Sequence, residues 1–361
     1  MTAHTRALFA VLPAGLARRH SGNPAAALRV ELLYALPVLL SGLAALVLGK
    51  PELEALDHHH KLKLEGLLRL YPGTPLPVVY FLAGCLPASA VLHLRQLTLL
   101  AMVARLGPDC PLYQYGTFIL SNPPPCTRSS SAIPWFIQMR HLCHQYDLPD
   151  PFVVLTSPPS KAVWKSKIKK QVENFWRSKL LAHAASLPSL SHLRATHMSL
   201  TSPSHLLTSC GSSGHEVKKV TVQIRMLSGR YRTCYFRRHW SGDSTGSCRV
   251  PGCEAETPGT LEHLATGQCQ GLKPATALAT SHWVKFASSR PHLLPLLLSY
   301  ANGEPADFLP FLLDPTTRAP VLALAQRCGR QVIDDLCLLT RTWLYLHHKA
   351  RYRALGLWSA L

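Results

Sequence analysis

Cys248, Cys253, His263 and Cys269 offer three thiols and one imidazole, a donor set that can fill the tetrahedral shell of a Zn²⁺ ion. The stretches between them are four, nine and five residues long. Arg249, Val250, Pro251 and Gly252 bridge the first pair, and Pro-Gly supplies a tight turn that brings two ligands together. Thr260 is placed to cap a short helix carrying His263 in its first turn, with Gly267 ending that helix before Cys269. With protein at all four positions, the expected Zn²⁺ is structural, and no position is open for an activated water. Spacing alone leaves Cys234 and His239 as substitutes for one ligand. It also leaves the cysteines readable as plain buried thiols.

A second chemistry precedes the thiols. Arg230, Tyr231, Arg232, Tyr235, Phe236, Arg237, Arg238, His239 and Trp240 form a dense basic and aromatic run. Guanidinium groups bind phosphate in bidentate fashion and aromatic faces stack on unpaired bases, so Arg230, Tyr231, Arg232, Arg237, Arg238 and Trp240 are candidate nucleic-acid contacts. The competing reading turns Tyr231, Phe236 and Trp240 inward and leaves only the arginines outside; both can hold at once. Lys165, Lys169 and Lys170 are further candidates. They belong to a stretch, 161–180, in which Trp164, Ile168, Val172, Phe175, Trp176 and Leu180 recur at three- and four-residue steps. Seven basic residues and the single acid Glu173 share that stretch, more charge than solubility alone requires.

Composition agrees with a polyanionic partner. The 361 residues carry 38 Lys plus Arg against 19 Asp plus Glu, a net charge of +19, which favours nucleic acid first and an anionic membrane surface second. Eleven cysteines, an odd number scattered along the chain, together with the absence of any Asn-x-Ser/Thr sequon, favour a non-secreted nuclear or cytoplasmic protein. No Gly-rich nucleotide loop is found: Gly49-Lys50 is followed by Pro51. With few acids to converge on Mg²⁺, and no nucleophile elbow at Gly211 to Gly214, neither an enzyme nor a small-molecule substrate is expected. Asp334-Asp335, the one adjacent acid pair, reads as a solvated helix edge.

The elements that must position these residues read as helices. Leu32 to Gly49 is eighteen residues without a charge, long enough for a membrane span, yet Pro37, Ser41, Gly42 and several alanines suit a close-packed helix as well. Pro51 to Leu70 has Pro at its start and acids in its first turn; His58, His59 and His60 inside it point in different directions and read as partly exposed. Further helices are expected over 87–106, 161–180 and 320–353. Ser121 to Ser131 and Leu187 to His215 are Pro- or Ser-rich and read as linkers. The expected fold is mainly α: a helical region over 1–120, a linker over 121–215 holding the basic helix, a small irregular zinc module over 216–272 and a C-terminal helical region over 273–361.

The zinc segment, with Gly229-Arg230-Tyr231-Arg232-Thr233 and Arg238-His239-Trp240 ahead of Cys248, resembles the post-polymerase region of animal non-LTR (LINE-type) retrotransposon reverse transcriptases. Tyr34-Ala35-Leu36-Pro37, Leu94-Arg95-Gln96-Leu97, Ala104-Arg105-Leu106-Gly107-Pro108-Asp109, Phe311-Leu312-Leu313-Asp314-Pro315 and Leu339-Thr340-Arg341-Thr342-Trp343 extend the likeness, in order, from about residue 25 onward. The resemblance implies a thumb-like helical region over 1–120, a CCHC zinc knuckle at Cys248, Cys253, His263 and Cys269, and an RNA or DNA partner. It implies a buried helical segment at Leu32 to Gly49 and not a membrane span. Val332 stands where the polymerase's aromatic-x-Asp-Asp motif needs an aromatic, and the upstream polymerase and endonuclease motifs are missing. The expectation is therefore a non-catalytic C-terminal fragment lacking its polymerase. Two alternatives remain at this point: a membrane-associated protein using 32–49, and a decayed element with no selected function.

Overall fold

The computed structural model describes residues 23–123, 133–190, 193, 199–233, 246–254, 257–303 and 305–357. As expected, the architecture is mainly helical; among the described residues there is no strand, only one isolated antiparallel bridge between Ser247 and Pro258. Two helices act as hubs. Ala88–Ala104 is surrounded by Lys161–Ala185, Pro151–Thr156, Trp135–Gln145 and Lys50–Leu67. Gln331–Ala354 is surrounded by Gly214–Leu227, Lys273–Ser288, Ala319–Cys328 and Pro305–Leu313.

The first hub forms where sequence pattern and a tertiary cap agree. Asp57, from Lys50–Leu67, accepts the Ser89 backbone N–H at 2.8 Å and the Ser89 hydroxyl at 2.7 Å, covering orphan donors at the start of the first hub. Leu92, Leu97, Leu100 and Ala101 then fill the interior. Against them lies Lys161–Ala185, capped by the Ser160 hydroxyl on Val163 N–H. It buries Trp164, Ile168, Val172, Trp176, Leu180 and Ala184, one residue in four along a single stripe. The Trp164 indole donates to the Leu97 carbonyl at 2.9 Å and so ties the stripe to the hub.

The boundaries expected at 121 and 216 do not separate cores. One contiguous apolar cluster runs from Ala25 to Leu344 and takes in the stripe of the presumed linker helix as well as Val217, Val220 and Ile224. The described parts of the second expected linker also hold two helices, His205–Thr208 and the start of Gly214–Leu227.

Four local expectations are corrected. Leu32 to Gly49 is not one buried helix: a π-turn over Glu31–Ala35, a short helix Leu36–Leu39 and a 3₁₀ turn Leu43–Ala45 share it, and Gly42 breaks the run at φ +76°. Leu33 and Tyr34 are 66% exposed and Val38 and Leu46 are half exposed. His60 is fully buried against the Tyr80 ring, because a third consecutive helical position swings onto the core face. Burial pushes its imidazole down to about 3, so it is neutral. The expected 320–353 helix is two, Ala319–Cys328 and Gln331–Ala354, divided at Gly329 with φ +91°. The Asp334-Asp335 pair is a solvated edge only in part: Asp335 is buried and accepts from Arg290 at 2.6 Å, while the partly exposed Asp334 accepts from His205 at 2.8 Å.

No single helix among the described residues is long and apolar enough to cross a membrane. Leu76–Ala83 and Ala88–Ala104 reach that length together, but they bend by 60° and most of their apolar residues lie in the core.

Candidate metal centre and basic surfaces

The four donors are brought together by turns. Cys248 is fixed by its backbone N–H on the Thr257 carbonyl at 2.7 Å. The chain then reverses at Pro251-Gly252, where Gly252 takes φ +84° and Cys253 N–H closes the turn on the Val250 carbonyl at 3.1 Å. Thr260 caps the Leu261–Ala265 helix through His263 N–H at 3.2 Å, which aims the imidazole back at the thiols. Gly267, at φ +84°, ends that turn and delivers Cys269. Gly271 packs against the Pro251 carbonyl so closely that any Cβ would overlap it.

The donor atoms of Cys248, Cys253, His263 and Cys269 all lie within 4.8 Å of one another, close enough to hold one metal ion. Cys248 Sγ and Cys269 Sγ are 3.8 Å apart, and Cys253 Sγ stands 3.3 Å from His263 Nε2. Sulfurs about 2.3 Å from a common tetrahedral ion would be separated by about 3.8 Å, so the observed spacing fits such an ion. The two buried thiols share their protons unevenly. The Cys269 thiol, donating to it, draws Cys248 down, while the same hydrogen bond pushes Cys269 up. Three thiols with one imidazole make a soft donor set, suited to Zn²⁺ and unsuited to Mg²⁺ or Ca²⁺.

Around these ligands the apolar support is slight. Val250, Leu264 and Leu272 form the buried cluster with Cys248 and Cys269, and Ala350 of the last helix packs against it. The same helix supplies two polar struts: the Trp343 indole donates to the Ala265 carbonyl at 2.7 Å, and His347 Nε2 meets the Thr276 hydroxyl at 3.0 Å. Sequence reading had missed these docking residues. The one signal for them is the four-residue spacing of Trp343 and His347, which puts both on one helical face.

The basic candidates divide. Lys165, Lys169 and Lys170 are exposed on the outer face of Lys161–Ala185, and so are Lys161, Lys167 and Arg177. Lys169 alone of the three candidates has a carboxylate near it, Glu173 at 3.7 Å. Arg232 is exposed, with its guanidinium 5.1 Å from the Tyr71 ring centre, and Arg230 is half-buried. Tyr231 is not a stacking platform. It is 3% exposed, its hydroxyl meets His348 Nδ1 at 2.7 Å, and Arg351 covers its ring at 5.5 Å. An aromatic between two arginines alternates inward as they turn outward, which satisfies the inward reading of the run at this position. Arg237, Arg238 and Trp240 lie outside the described residues, as do Cys234, Phe236 and His239.

Comparison with known proteins returned no match: no family model, no curated protein and no solved structure is similar to this chain.

Proposed function

We propose that the chain is a non-enzymatic nucleic-acid-binding protein, stabilised by a structural Zn²⁺ on Cys248, Cys253, His263 and Cys269, and derived from the C-terminal region of a non-LTR retrotransposon reverse transcriptase. The observation that carries the binding reading is the outer face of Lys161–Ala185, where Lys161, Lys165, Lys167, Lys169, Lys170 and Arg177 are exposed together while the opposite stripe is locked into the core. A rigid row of cations is suited to a phosphate backbone, which takes charge at regular intervals without demanding base contacts. The net charge of +19 and the exposed Arg232 point the same way. For the retrotransposon origin, the support is the ordered series of sequence strings and the convergence of the CCHC donors.

Titration of the zinc-loaded chain with RNA, single-stranded DNA and duplex DNA across salt concentrations tests this. Binding is expected to weaken steeply with salt. The triple substitution K165Q/K169Q/K170Q is expected to lower the log–log salt slope by about 2 to 3, because each phosphate contact contributes about 0.7 on single strands and about 0.9 on duplex. Affinity weaker than micromolar with a flat salt response would overturn the reading.

A membrane surface is the second reading, favoured by the exposure of Leu33, Tyr34, Val38 and Leu46. Flotation of the chain with anionic vesicles, abolished by L33S/Y34S and not by the lysine substitutions, would support it over nucleic acid.

A further inference from the structure

A cavity of 460 Å³ lies beside Leu76–Ala83 and the start of Gln331–Ala354, and neither the metal centre nor the lysine face uses it. Val78, Phe81 and Leu82 of Leu76–Ala83 supply an apolar wall. The stretch ending in the His205–Thr208 helix supplies a largely polar wall and is pinned in place: Ser204 N–H donates to the Leu82 carbonyl at 3.0 Å. Gly84, at φ +61°, meets the Ser202 carbonyl so closely that a Cβ there would overlap it. The cavity is therefore a built concavity and not a gap between loosely placed loops.

Two exposed arginines line it from opposite ends of the chain. Arg29 comes from the last turn of Pro24–Val30, and Arg330 stands at the N-cap of Gln331–Ala354. The carboxylates nearby are already committed. Asp314 accepts from Thr316 twice, through its N–H at 3.0 Å and its hydroxyl at 2.6 Å. Asp334 accepts from His205 Nε2 at 2.8 Å. Arg330 Nη2 lies 3.4 Å from His205 Nδ1. Ser199 and Thr208 add hydroxyls to the lining.

The geometry points to a binding site for a phosphate monoester carried on a nucleoside, with Arg29 and Arg330 taking the phosphate oxygens and the cavity enclosing the nucleoside. Guanidinium groups match the phosphate's oxygens as a fork, and 460 Å³ lies within the range that encloses a small organic ligand. The phosphate could arrive on a free mononucleotide or on the 5′ end of a strand. The site stands apart from the nucleic-acid reading above, since it uses none of Lys165, Lys169 and Lys170.

The test titrates the full zinc-loaded chain with adenosine monophosphate, adenosine, and 5′-phosphorylated and 5′-hydroxyl oligonucleotides of one sequence. The phosphate is expected to tighten binding roughly tenfold or more, the scale of a charge-assisted hydrogen bond. R29Q and R330Q are each expected to remove most of that gain, with zinc content and melting midpoint unchanged. A gain on both ligands or on the oligonucleotide alone assigns a strand end, and a gain on the mononucleotide alone assigns the free nucleotide; each supports the site. If neither ligand gains from its phosphate, or if R29Q/R330Q leaves the gain intact, the site is overturned. Binding of the 5′-hydroxyl oligonucleotide reports separately on the lysine face and is expected to survive R29Q/R330Q.

Discussion

Between Cys248 and Leu272 the buried apolar cluster amounts to Val250, Leu264 and Leu272 with two cysteines, whereas Lys161–Ala185 alone buries two tryptophans, Ile168, Val172, Leu180 and Ala184. Both regions hold candidate functional side chains at fixed places, but by different physical means. The helix gains its rigidity from apolar area removed from water, and its Trp164 and Trp176 indoles also find hydrogen-bond acceptors inside. The module has too little such area, and its four turns are closed instead by ligand atoms gathered within 4.8 Å. A stretch poor in aliphatics can thus be as well defined as a core helix, provided its donors converge on one ion.

The sharpest way to break this contrast is to remove the ion. Structural Zn²⁺ supplies roughly 10–16 kcal/mol in zinc-finger peptides, so C269S or strong chelation is expected to unfold the module. Limited proteolysis should then cut within 246–272, zinc content should fall to near zero, and most of the helical circular dichroism should remain. Loss of the whole helical signal would show that the module also holds the hubs together.

The converse substitution is W164A. It empties the stripe against the first hub and leaves the Leu97 carbonyl without its donor, an expected loss of about 3–5 kcal/mol by thermal or urea unfolding. Metal content per folded molecule should not change. A fall in bound zinc at temperatures where the chain is still folded would mean the two regions are coupled.

A smaller effect separates them by pH. Burial pushes the Asp314 carboxyl up to about 6, while its Thr316 hydrogen bonds pull it back. The folded state therefore binds a proton more tightly than the unfolded chain, and this contribution to stability falls as pH rises from about 4 to 6. D314N is expected to flatten that fall by up to about 3 kcal/mol. Metal affinity has the opposite sign, because the thiols must lose protons to bind. Raising pH should weaken the helical body slightly while tightening the module. Parallel trends in unfolding midpoint and zinc affinity would contradict the assignment of Asp314 to the body alone.

Much of this was legible in the residues themselves. The Trp164-to-Leu180 spacing and the Pro251-Gly252, Thr260 and Gly267 signals are local, and local backbone preference carried each into the fold. Leu32 to Gly49 was misread because apolar content says nothing about which neighbour covers it, and Gly42 ended the helix within it. Tyr231 and His60 show the same gap: type and spacing named the chemistry, while burial decided whether a ring was free to use it.

The chain by itself determined the helical class, the donor set of the metal centre and the turns that shape it, since these depend on residues near one another in sequence. Only the tertiary structure decided that one core runs through the expected linker, that Trp343 and His347 dock the module, and that Arg29 and Arg330 meet at one cavity. Those contacts join residues about seventy to three hundred positions apart. Their closeness is fixed by packing and loop closure across the whole molecule, which no local pattern encodes.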